Sequence, residues 1–184
     1  MSEMVKAKLN GQFEIILPKH RADRPEWYTP EGWEKARLQS MYETIKTQAY
    51  ISAQSPDGRE PLVYYVGAEE GEMCGLCAIW GAEVVMFEPN EKVMPNIREI
   101  WKANALPNCK FLAGFASNKT TDNWQSALYD IRDIKGEMIG DHGFKELHDA
   151  GNIAQVKIDD MVYATSKIPT IITMDVEGSE WEVL

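Results

Sequence analysis

Long apolar runs are missing from these 184 residues: none approaches the roughly twenty that a membrane-spanning helix needs. Met1-Ser2-Glu3 begins nothing like a signal peptide, so the expected setting is cytoplasmic, with no membrane partner. Basic charge is scarce as well. Nineteen Lys and Arg stand against 29 Asp and Glu, a formal net charge of −10. Nucleic acids and anionic membranes need a basic face, so neither is an expected partner. The three cysteines, Cys74, Cys77 and Cys109, are an odd count and give no disulfide framework. Cys74 and Cys77 form a C-x-x-C, the spacing of a redox pair or half a zinc site. No second cysteine pair answers it, and His20, His142 and His148 show no matching ligand spacing. The two read as buried cysteines of a helix, and no metal is expected. Repeats and low-complexity stretches are also absent. What remains is ordinary globular composition, 44% hydrophobic and 26% charged, in a chain long enough to bury one core.

The informative stretch is Leu62 to Gly71, answered by Val84 to Asn90. An apolar, β-branched and aromatic run, a glycine-bearing turn, a ten-residue helical segment and a second apolar run closed by an acid together predict a βαβ unit that seats an adenosine-like ligand. Gly67 and Gly71 let the backbone come close to a ligand at the carboxyl end of the first strand. Glu88, at the tip of the second, stands where an acid can accept both hydroxyl hydrogens of a ribose. The turn also carries Glu69, Glu70 and Glu72, which would repel a diphosphate on a helix N-terminus. Gly67, Gly71 and Gly75 are four apart, which fails the dinucleotide pattern G-x-G-x-x-G. Acids of this kind suit a ligand bearing a sulfonium and an ammonium group, as S-adenosylmethionine does. The alternative is an ordinary parallel sheet with a glycine turn.

Around this unit, residues 1–60 read as an N-terminal strand and helix cap, and 61–184 as the ligand-binding domain. Gln12 to Leu17 alternates like one strand, and Lys19 to Pro25 reads as a loop. Thr29 as N-cap, Pro30 at the first helical position and the spacing of Leu38, Met41, Tyr42, Ile45 and Ala49 predict a helix over about 30–49. Trp27, Tyr28 and Trp33 read as packing residues. The helix after the glycine turn is expected over about 71–80, with Gly81 as its αL cap. Asn90 and Pro95 predict an irregular turn before a helix over about 95–104. A third strand is expected over about 110–115. Residues 117–152 read as an insertion suited to substrate contacts, with a helix near 142–150. Asp141, His142 and His148 are its acid/base candidates or simply solvated side chains. Gln155 to Asp159 reads as a strand, Asp160 to Ser166 as a short helix, and Thr170 to Asp175 as a buried parallel strand.

Four ordered motifs carry a family resemblance: Tyr64 to Asn90, the Ala116-Ser117-Asn118 step, Val156 to Asp160, and Ile172-Thr173-Met174-Asp175-Val176-Glu177-Gly178-Ser179-Glu180-Trp181. Over roughly residues 62–184 the chain resembles the FkbM family of S-adenosylmethionine-dependent methyltransferases. The resemblance implies an α/β, Rossmann-like class I methyltransferase fold, a mostly parallel sheet flanked by helices, here C-terminally incomplete because the family's last three strands would lie beyond Leu184. It implies transfer of a methyl group to a hydroxyl of a small molecule or sugar. Gly67, Ala68, Glu69 and Gly71 would line the methionine part of the cofactor, Glu88 would hold the ribose, Pro89 and Asn90 would shape the adenine pocket, and Ala116 and Ser117 would lie along the adenine edge. Asp175, with Glu177 second, would stand near the sulfonium and the incoming hydroxyl as catalytic residue. Tyr65 stands where the family has an acid, which leaves Glu69 or Glu70 to meet the cofactor's ammonium, and Thr173 stands where it has a lysine. A sheet ending on the fourth strand leaves an open edge for a second copy or a partner to cover. A non-catalytic module that keeps this fold for binding or assembly is the alternative function.

Overall fold

The computed structural model describes residues 3–24, 35–55, 58–140, 153–176 and 180–183. The chain opens with β1 (Met4–Leu9), β2 (Phe13–Pro18), a short helix α1 (Lys19–Ala22) and the long helix α2 (Lys35–Gln54). Then come β3 (Leu62–Val66), α3 (Glu72–Ile79), β4 (Glu83–Phe87), a 3-10 turn over Glu91–Val93 and α4 (Met94–Ala103). After them follow β5 (Lys110–Leu112), β6 (Gly114–Ala116), β7 (Leu128–Asp130), β8 (Ala154–Val156), α5 (Ile158–Thr165), β9 (Ile171–Met174) and α6 (Glu180–Val183).

The architecture is α/β around a mixed five-stranded sheet in the order β7-β5-β4-β3-β9. β5, β4, β3 and β9 are parallel, and β7 runs antiparallel to β5 at the edge. β3 lies inside the sheet with both faces covered, and all five of its residues are buried. Its side chains alternate between two apolar clusters, as the pleat requires. Val63 and Tyr65 join one, formed with the N-terminal hairpin, α2, α3 and α4. Leu62, Tyr64 and Val66 join the other, formed with β6, β8 and α5. Leu9, Ile15, Leu17, Leu38 and Ile45 lie in the same cluster as Val63, so residues 1–60 and the sheet share one core.

Several expectations change. The N-terminus holds two strands instead of one: β1 and β2 form an antiparallel hairpin whose turn residues Asn10 and Gly11 sit at φ 51° and 68°. The free edge of β2 is closed by one side chain, since Asn104 Oδ1 accepts the Ile16 N–H and its Nδ2 donates to the Ile16 carbonyl, both at 2.8 Å. Part of the expected loop at 19–25 is α1, and α2 runs on to Gln54. The third strand is split. A Cβ on Gly114 would lie 2.4 Å from the Ala154 carbonyl oxygen, and this close approach draws 114–116 away from β5 into a separate parallel pair with β8. β9 is parallel as expected but not buried, because it ends the sheet; Ile172 is 38% exposed and Thr173 alone in the strand is buried. The irregular entry to α4 is present, with the Asn90 side chain accepting the Lys92 N–H. Thr29, Pro30, Trp27, Tyr28, Trp33, Asp141, His142, His148, the helix expected near 142–150 and Glu177 lie outside the described residues. Among the described residues no helix is long and apolar enough to cross a membrane.

Candidate functional site

The strand order turns back between β3 and β9, and open α/β sheets take their ligands at the carboxyl ends of the strands beside such a point. At the end of β3, Gly67 adopts φ 83°, and a Cβ there would lie 2.1 Å from the Asp175 carbonyl oxygen. Its N–H and that of Ala68 both donate to the Phe87 carbonyl, at 2.9 and 3.1 Å, and the Asp175 N–H donates to Val66. The three strand ends are thereby tied together around a cavity of about 230 Å³. Its walls include Gly67, Glu69, Glu88, Pro89, Ala116 and Asp175, closed by Phe87, Phe115, Val176 and Val183. It is smaller than the roughly 300–1,000 Å³ typical of drug-sized ligands, so it matches a fragment of such a ligand.

Glu88 is the cavity's best-defined polar group. Its Oε1 accepts the Asn90 N–H at 2.9 Å and its Oε2 the Glu69 N–H at 3.0 Å. A carboxylate has about four lone-pair sites, so two remain for hydroxyl donors. Burial pushes its carboxyl up to about 7, against the pull of those two N–H bonds and with help from the Glu69 carboxylate. The pKa of Glu69 is raised too, chiefly by burial and by the neighbouring Glu72, while Arg21 opposes the rise. Among the described residues Glu69, Glu88 and Asp175 line the cavity and no lysine or arginine does, so these walls disfavour a phosphate and favour cationic or hydroxyl-rich groups.

The acid-rich turn is not what its sequence suggests. Glu70 and Glu72 are each 3% exposed and face inward. Arg21, from α1, binds Glu72 and Glu69 and lies 3.9 Å from Glu70. Glu70 Oε2 also meets His20 Nε2 at 2.7 Å and accepts from Asn96 Nδ2 at 2.9 Å. Of the three acids only Glu69 reaches the cavity, and the expectation that all three face a ligand is corrected: buried carboxylates are retained only where a cation and hydrogen bonds compensate them.

The other candidates fall in two groups. Asp175 lies at the rim, its side chain 49% exposed, with Arg37 Nη1 of α2 donating to its Oδ2 at 3.3 Å and Arg37 Nη2 to the Tyr65 hydroxyl at 3.2 Å. Ala68, Gly71, Asn90 and Ser117 are not among the cavity walls. Gly71 heads α3, where a Cβ would lie 3.0 Å from the Ile97 side chain, Asn90 caps the following turn, and the Ser117 hydroxyl donates to Gln155. Cys74 and Cys77 are wholly buried in α3. Sequence reading missed Arg21 and Arg37. Their only signal is that Arg21 ends a short basic run in an acidic chain; nothing in local spacing joins it to residues 69–72, or Arg37 to residue 175.

The chain matches no family model, no curated protein and no solved structure. The site must therefore be read from its geometry. A buried carboxylate with spare acceptor capacity, a close-packed glycine turn and a second carboxylate in the cavity wall can hold a diol and a cationic group, and no lysine or arginine is among the described wall residues to balance a phosphate.

Proposed function

We propose that this chain is an S-adenosylmethionine-dependent O-methyltransferase of the Rossmann-like class I fold, acting on a hydroxyl of a small molecule or sugar, as its resemblance to the FkbM family implies. The observation that carries the reading is Glu88, held by two backbone N–H groups at the end of β4 with acceptor sites left toward the cavity. The sheet supports it, because the parallel strands lie in the order third, second, first, fourth along the chain, as in one half of a doubly wound nucleotide-binding sheet.

In this reading Glu88 accepts the ribose hydroxyls, Pro89 and Ala116 flank the adenine, and Gly67 and Glu69 border the methionine part. Ala68, Gly71, Asn90 and Ser117 act by shaping the turns behind these walls. The cofactor supplies a methyl group already activated on a sulfonium, so the protein's work is to place the acceptor oxygen in line with it. Asp175, at the rim and across from Glu88, is suited to orient that hydroxyl and take its proton, with Glu177 the second candidate.

Calorimetric titration with S-adenosylmethionine and with S-adenosylhomocysteine tests the reading. Binding that is lost on Glu88→Ala supports it. A non-catalytic binding module is the second reading, favoured by the engagement of Asp175 with Arg37 and by Tyr65 at the strand end. A folded protein that gives no heat with either compound would leave only that reading.

A further inference from the structure

Beside the carboxyl end of α4, a groove of about 450 Å³ has no acidic residue in its lining among the described residues. Arg98, Lys102 and Arg132 border it, and Trp101, Leu106 and Ile131 supply apolar wall. In a chain of net charge −10 such a concentration of basic side chains is unusual. The three have different standing. Arg98 is fixed in place, its Nη1 donating to the Ile134 carbonyl at 2.8 Å, its Nη2 to that of Gly136 at 3.0 Å and its Nε to Glu99 at 2.9 Å. Lys102 is 78% exposed, its ammonium 3.8 Å from Glu99. Arg132 is exposed and has no ion pair among the described residues. The buried Trp101 contributes a second sign of a ligand: its indole N–H has no hydrogen-bond partner among the described residues. Buried donors in native proteins are nearly always satisfied, so this one marks a groove wall that is short of an acceptor.

We propose that this groove is a second binding site, separate from the strand-end cavity, for a small anion with an apolar body. Lys102 and Arg132 hold the anionic head, and Trp101, Leu106 and Ile131 receive the body. The head is a phosphate or a carboxylate, both of which match a guanidinium paired with an ammonium.

The test is calorimetric titration of the full chain with phenyl phosphate, benzoate and benzyl alcohol. Lys102 and Arg132 are exposed, so Lys102→Glu and Arg132→Glu should fold normally, which circular dichroism checks. The expected result is heat with one or both anions, none with the alcohol, and affinity weakened at least about tenfold by either charge reversal. Heat with phenyl phosphate alone names a phosphate ligand, and heat with benzoate alone a carboxylate. The proposal is overturned if neither anion binds, if the alcohol binds equally, if the charge reversals change nothing, or if Glu88→Ala abolishes the signal, which would assign it to the other cavity.

Discussion

Replacing Glu88 by glutamine keeps the side chain's shape, removes its charge and gives up one of its two N–H acceptors, a cost that does not vary with pH, so the pH dependence of the result is fixed by where the carboxyl sits. Burial raises its pKa from 4.5 to about 7. That displacement corresponds to about 3 kcal/mol between the two protonation states, less what water in the cavity screens. Below pH ~4.5 the folded and unfolded chains both hold the proton, and the group has no effect on stability. Between ~4.5 and ~7 the folded chain keeps a proton that the unfolded chain has released, so stability falls as pH rises, and above ~7 the whole penalty is present. Urea unfolding of the natural chain and of Glu88→Gln, measured at intervals from about pH 5 to 8, should therefore diverge, with the variant gaining on the natural chain by up to about 3 kcal/mol. Hydroxyl donors bind the ionised carboxylate better than the neutral acid, so adenosyl-ligand affinity should rise through the same range in the natural chain and stay flat in the variant. Parallel stability curves would refute the claim that Glu88 is buried and strained by its charge.

Gly67→Ala adds a Cβ 2.1 Å from a backbone oxygen at φ 83°, whereas Gly81→Ala meets nothing within 4 Å at φ 102°. Gly81→Ala should cost about 1–2 kcal/mol from backbone strain alone and Gly67→Ala at least about twice that, by urea unfolding; equal costs would mean that β3 and β9 are not closely joined. Arg21→Met takes the guanidinium away from the buried Glu72 and from beside the buried Glu70, which keeps His20 and Asn96, and should cost about 3–5 kcal/mol; a loss under about 1 kcal/mol would make the network an ordinary surface pairing. Burial raises the pKa of all three thiols and none is accessible, so a thiol reagent should label none in the native chain and three in denaturant.

The readable part of the fold was the part whose cause is local. Residues 62–66 are apolar on both faces because both faces are covered, and Gly67 and Gly81 hold the positive φ that their turns require. β1 is hidden by lysines at alternate positions, and its turn residues Asn10 and Gly11 take the positive φ that hairpin turns favour. β7 is three residues of an edge strand with too little apolar pattern to register, and the break between β5 and β6 depends on a carbonyl forty residues away. At the site, Glu88 was legible from its place after an apolar strand. The inward turn of Glu70 and Glu72 was not, because it depends on Arg21, some fifty residues earlier, and the pairing of Asp175 with Arg37 spans 138 residues.

Arg21 has one more consequence, for how this sequence can change over time. One guanidinium at 21 is shared by the carboxylates at 69, 70 and 72, so single exchanges among them should be purged while joint ones persist. Relatives that have lost the arginine should also have lost the glutamates at the positions of Glu70 and Glu72, with aliphatic or amide side chains in their place, and those positions should covary more strongly than any pair within the glycine turn itself.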